Sequence, residues 1–94
     1  MFTLKTTVYG NPDRGQDPRR APFGVKNTTL QAQTLSDLRD LVTVWQAEND
    51  IGAGNWVHPA VFKGGELIGF MSYNGRVWLE KNPSLKSKEY EEQA

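Results

Sequence analysis

His58 is the only imidazole in this 94-residue chain, and there are no cysteines. A metal site would have no second imidazole or thiolate to share the ion, and disulfide and thiolate chemistry are excluded together. A Ser-His-Asp arrangement would have to join His58 to Ser36, Ser72, Ser84 or Ser87, and none of these sits in a nucleophile context. Asp37 and Asp40 stand one helical turn apart, a spacing open to a carboxylate pair. Their position at a helix start is a sufficient reason for them, because acidic residues there face the positive end of the helix dipole. Gly64, Gly65, Gly69 and Gly75 lack phosphate-loop spacing and suit hairpin turns and a close strand contact. No catalytic residue, cofactor or metal is expected.

Binding chemistry has more material. Arg14, Arg19 and Arg20 lie in a Pro/Gly-rich stretch with Lys26 just beyond it. Such a basic segment can follow a phosphate backbone or meet an acidic protein surface. Tyr73, Arg76 and Trp78 form an aromatic-plus-cation group of the kind that stacks on a base. A cross-strand pairing of Tyr73 with Arg76, and cation–π packing of Arg76 on Trp78, would account for the same residues without a ligand.

The elements that must position these groups are legible in outline. Phe2 to Tyr9 alternates apolar and polar residues and reads as a strand. Residues 10–23, with three prolines and two glycines, form a long basic loop, and 24–30 a short second strand. Ser36 is placed to cap a helix. Leu38, Leu41, Val42 and Trp45 supply its apolar stripe, and Gly52 its left-handed close. Strands follow at about 59–63, 66–73 and 76–81, joined by Gly64-Gly65 and Asn74-Gly75. If Asn74-Gly75 is a two-residue type I′ turn, Tyr73 faces Arg76, Met71 faces Trp78 and Phe70 faces Leu79. Val61, Ile68, Phe70, Val77 and Leu79 then share the face that meets the helix, with Trp45 and Trp56 in the core. Phe62, Leu67, Met71, Tyr73 and Trp78 share the other face. Either the loop or the tail covers that second face, or it is an interaction surface.

The expected fold is α+β: an antiparallel sheet of four or five strands with one amphipathic helix on one face. Residues 1–82 make a single domain, and 83–94 a charged, flexible tail. Lys plus Arg and Asp plus Glu number 11 each, so no global charge favours nucleic acid. Charge is nonetheless segregated: residues 1–34 carry five basic and two acidic groups, and 35–58 one basic and four acidic. There is neither a membrane-length apolar run nor a charged-then-apolar leader, so a soluble, intracellular protein is expected.

Three sets of residues carry a resemblance: Tyr9-Gly10-Asn11-Pro12 with Gln16-Asp17-Pro18 and Pro22-Phe23-Gly24-Val25; Glu48-Asn49-Asp50-Ile51-Gly52-Ala53-Gly54-Asn55-Trp56; and Ser72-Tyr73-Asn74-Gly75-Arg76-Val77-Trp78. With these the chain resembles small phage- and plasmid-encoded proteins that counter host defence, including anti-CRISPR proteins. The resemblance implies a non-enzymatic inhibitor in the host bacterial cytoplasm. Its partner would be a Cas protein–crRNA surveillance complex, and it would keep target DNA from the guide. Arg14, Arg19, Arg20, Lys26, Tyr73, Arg76 and Trp78 are the expected partner-binding residues, with phosphate-backbone contacts from the loop. The alternative is a small homo-oligomeric accessory protein whose apolar sheet face is its own dimer interface. A sequestering protein that holds a small nucleotide signal between subunits is a third reading.

Overall fold

The computed structural model describes residues 1–22 and 24–91. Phe23 of the expected loop and the last three residues of the expected tail lie outside that range. The described chain is α+β. Strands β1 (Phe2–Lys5), β2 (Thr29–Ala32), β3 (Ala60–Lys63), β4 (Glu66–Met71) and β5 (Val77–Trp78) form one sheet, and α1 (Leu35–Glu48) packs on it. Every pairing is antiparallel, in the order β2-β1-β3-β4-β5.

The helix begins earlier than Ser36. Thr34 is the cap: its hydroxyl accepts from the Asp37 amide at 3.1 Å and satisfies one of the free donors of the first turn. Leu35, Leu38, Val42, Trp45 and Gln46 face the sheet, whereas Leu41 is 42% exposed. The real stripe therefore runs one step round the helix from the expected one. Asp50, not Gly52, takes the left-handed position after the last turn, with φ 52°, and the Ile51 amide reaches back to the Gln46 carbonyl at 2.9 Å. Truncating Leu38, which is fully buried, would cost about 3 kcal/mol through the cavity left behind.

Asn74-Gly75 does not form a type I′ turn. Only Gly75 of that pair has positive φ (91°). The Gly75 amide donates to the Ser72 carbonyl at 3.0 Å, and the Ser72 amide to the Arg76 carbonyl at 2.8 Å. This is a three-residue loop: a turn through Tyr73 and Asn74, then a glycine bulge. The added residue slips the register by one, so Phe70 faces Trp78 and Met71 faces Val77.

A second bulge lies in β4. Val61 pairs with Gly69 and Phe62 with Leu67, which leaves Ile68 as the extra residue. Each bulge reverses side-chain parity along its strand. Met71 therefore points into the core with Val61 and Val77, all fully buried, and Ile68 packs at the core edge. Phe70 moves to the face away from the helix. Trp45 and Trp56 sit in the core as a tilted pair with ring centres 6.3 Å apart.

Residues 88–90 extend the β5 edge. Trp78 bridges to Glu89, the Leu79 amide donates to the Lys88 carbonyl at 2.9 Å, and the Tyr90 amide donates to the Val77 carbonyl at 2.7 Å.

Candidate functional site

Residues 10–22 are held rather than draped. A Cβ on Gly10 would run into the Asp17 carbonyl, so only glycine allows the loop to fold back this closely. The Gly10 amide donates to the Arg20 carbonyl at 2.8 Å. Asn55, 1% exposed, binds the loop from the far side of the chain. Its amide nitrogen donates to the Tyr9 carbonyl and to Gln16 Oε1 at 2.8 and 2.9 Å. Its side-chain oxygen accepts from the Gly52 amide at 3.1 Å, and Gln16 Oε1 also accepts from the Asn11 amide at 2.9 Å. Among the described residues no buried side-chain polar atom lacks a partner. Two of the sets that carried the resemblance, 9–12 with 16–18 and 48–56, thus meet in one polar clamp. Trp56 secures its end through an indole N–H donated to the Met71 carbonyl at 2.8 Å.

The loop arginines are engaged within the chain. Arg14 pairs with Asp50 at 3.1 Å. Arg19 and Arg20 reach opposite oxygens of the Asp17 carboxylate at 3.2 and 3.3 Å. The Arg19 amide donates to that carboxylate, and its guanidinium adds a second bond. Together they lower the Asp17 pKa below the ordinary carboxylate value against an opposing desolvation, and Arg20 adds a lesser push in the lowering direction. Sharing one carboxylate leaves Arg19 and Arg20 with a single net positive charge. Their side chains stay largely exposed, as does Lys26.

The aromatic group is divided. The Tyr73 hydroxyl donates to the Ile51 carbonyl at 2.9 Å, and Arg39 Nε donates to the Gly75 carbonyl at 2.7 Å. The hairpin tip is therefore latched to the helix and to the turn that follows it, and Tyr73 points toward that turn. Arg76 and Trp78 do stay together, with the guanidinium 5.8 Å from the ring centre.

On the sheet face away from the helix, the register aligns two rows. One runs Gln31, Thr3, Phe62, Leu67 across four strands. The other runs Ala60, Phe70, Trp78, Glu89. The β1–β2 half of this face is polar and the β3–β5 half apolar. Phe62 and Leu67 are 38% and 51% exposed, while Phe70 and Trp78 are half-buried. The His58 ring lies outside both rows. Its Nδ1 is 2.7 Å from the Lys81 carbonyl, so that nitrogen carries the proton. The bond ties the segment after β5 back to the start of β3. Among the described residues, no three His, Asp or Glu side chains gather in a way that could hold a metal ion.

The face that sequence reasoning assigned to Met71 and Tyr73 thus belongs to Phe70, and its most exposed members are Phe62 and Leu67. Gln16, Arg39 and Asn55 were not anticipated, because their partners lie 36 to 46 residues away in the chain. No family model matches the chain, and no curated protein or solved structure matches it either.

Proposed function

We propose that this chain is a non-catalytic binding protein that docks through its open sheet face on a type I CRISPR–Cas surveillance complex in the host bacterial cytoplasm. By occupying the crRNA or target-DNA path it keeps target DNA from the guide. The observation that carries a binding role is the exposed Phe62–Leu67 pair beside Phe70, Trp78 and Arg76, on the face opposite the helix. Apolar and aromatic side chains on a rigid sheet lose little entropy on docking, and aromatic residues and arginine are the usual anchors of such surfaces. The resemblance of stretches spread over most of residues 9–78 to anti-defence proteins supports the choice of partner.

The loop contributes less to this reading than its arginines alone would suggest. Asp17 and Asp50 already neutralise part of its charge, so the sheet face supplies most of the binding energy and Arg19, Arg20 and Lys26 supply orientation. The test is capture of a purified type I surveillance complex by the tagged protein, followed by target-DNA binding to the captured complex. Stoichiometric capture with DNA excluded is the expected result. Failure of capture, or capture that leaves DNA binding intact, overturns the reading.

A further inference from the structure

The open sheet face carries cations that the chain itself does not neutralise. Arg14, Arg19 and Arg20 of the loop are paired with Asp50 and Asp17. Lys5 and Arg76 are exposed, and among the described residues neither has a carboxylate partner. Both stand on the face away from the helix. Lys5 follows Thr3 by two residues in β1 and so shares its side, and the Arg76 guanidinium lies over the Trp78 ring. Glu66, the one acidic residue within the five strands, pairs with Lys63, which pairs in turn with the buried Phe2. It therefore belongs to the opposite side. The formal net charge of the chain is zero, so the positive character is local to this face.

An aromatic floor lies between the two cations. The β1–β3 register, carried one step past Leu4–Val61, sets Lys5 beside Ala60. Ala60 pairs with Phe70, and Phe70 with Trp78. These four residues are neighbours in one row across β1, β3, β4 and β5. At about 4.8 Å per strand the row runs about 14 Å from Lys5 to Trp78. Ala60 contributes only a methyl group, so the row dips between Lys5 and Phe70. Phe62, two residues along β3 on the same side, is 38% exposed. Aromatic side chains on adjacent strands offer π-faces to bases, and cations at the margins offer charge to phosphates. A nucleic-acid strand supplies bases and phosphates in alternation, which is the complement that this arrangement requires.

We infer that the open face binds a single strand of nucleic acid, with about two or three bases stacked on Phe62, Phe70 and Trp78 and phosphates paired with Lys5 and Arg76. The inference rests on the open face being the binding surface proposed above, and it names what that face meets: unpaired bases of the guide or of the target. A duplex keeps its base faces inside its own stack, so the surface discriminates against it. Two phosphate contacts give a shallow salt dependence, with log K falling by about 1.4 per decade of salt. Glu89 bridges to Trp78 at the rim, where its carboxylate opposes a phosphate, so the strand leaves the face on the Arg76 side.

The experiment is fluorescence anisotropy of the full chain with a short labelled single-stranded RNA, the same sequence as single-stranded DNA, and the corresponding duplex. Binding in at least one single-stranded arm is expected, about tenfold or more tighter than to the duplex. A preference for RNA assigns the face to the guide, and a preference for DNA assigns it to the target. Trp78→Ala and Phe62→Ala should each weaken binding about fivefold or more. Lys5→Ala should reduce the salt slope by about 0.7, and Glu89→Gln should tighten binding. Phe62 and Lys5 are exposed, so their variants stay informative if Trp78→Ala fails to fold. No binding in either single-stranded arm overturns the inference. So does duplex binding as tight as single-strand binding, or binding that Phe62→Ala and Lys5→Ala leave unchanged. Capture of the surveillance complex is scored separately. Capture by a chain that binds no single strand removes this inference alone, and strand binding without capture removes the choice of partner alone.

Discussion

The hydroxyl of Tyr73 donates to the carbonyl of Ile51 across 22 residues of sequence, at 2.9 Å. A side chain whose neighbours Arg76 and Trp78 suggest a binding group is thereby a latch. It fixes the β4–β5 hairpin to the turn that ends the helix, with Arg39 bonding the Gly75 carbonyl alongside. Tyr73→Phe should lower stability by about 1 kcal/mol, the usual net worth of one hydrogen bond, in urea denaturation. Affinity for a partner on the open face should stay within twofold of the parent.

Asn55→Ala should cost about 2–3 kcal/mol. The change removes three hydrogen bonds at a part-buried site: the Tyr9 carbonyl and the Gly52 amide lose this partner, while Gln16 Oε1 keeps the Asn11 amide, and each lost bond carries about 1 kcal/mol. Chemical denaturation reads the loss directly, and protease sensitivity within residues 10–22 should rise with it. An Asn55→Ala protein as stable as the parent would show that the clamp contributes little.

Asp17 contributes to the pH dependence of stability in acid. Its carboxyl titrates below the ordinary value in the folded chain, first because of the Arg19 amide and then the Arg19 guanidinium. The unfolded chain takes up the proton more readily, so this contribution is complete above the ordinary carboxylate pKa. It is lost as pH falls through the depressed folded value. Asp17→Asn should therefore flatten the drop in melting temperature between neutral and strongly acidic pH. An unchanged acid limb would sink the assignment.

Phe62→Asp with Leu67→Asp should abolish capture of the partner while the chain stays folded. Both positions are exposed, and surface substitutions of this kind usually move stability by about 0.5 kcal/mol or less. Trp78→Ala should weaken binding by tenfold or more. Arg19→Glu with Arg20→Glu should act more weakly and chiefly through the salt dependence, with log K shifting by about one unit or less per decade of salt.

The architecture was legible wherever the signal was local. The single helix and the antiparallel sheet follow from periodicity, and Gly64-Gly65 lies between β3 and β4 as expected. The assignment of faces was not legible, because it hangs on two single-residue insertions. Ile68 is extra opposite Val61, and Gly75 closes a three-residue loop where Asn-Gly advertises a two-residue one. Nothing in the residue types alone separates those turns, since Gly75 supplies positive φ in both. The helix start shifted for a related reason: Thr34 and Ser36 are both good caps, and the burial of Leu35 decides for Thr34. The clamp was invisible in physical terms, because Gln16 and Asn55 are polar residues whose burial is created only when distant segments meet.

The strand order carries a consequence for how the chain assembles. β1, β2 and α1 come from the first half of the sequence, β3, β4 and β5 from the second, and the halves join within the sheet only where β1 lies against β3. The second half forms through short hairpin loops and the first through a connection of 23 residues between β1 and β2, whereas the seam must close a loop of more than fifty residues and so pays the larger entropy. The two pieces, of which the second is a run of hairpins, should collapse first and zip together last. A backbone break in the connection between α1 and β3 would leave two contiguous fragments bearing complementary edges of one sheet.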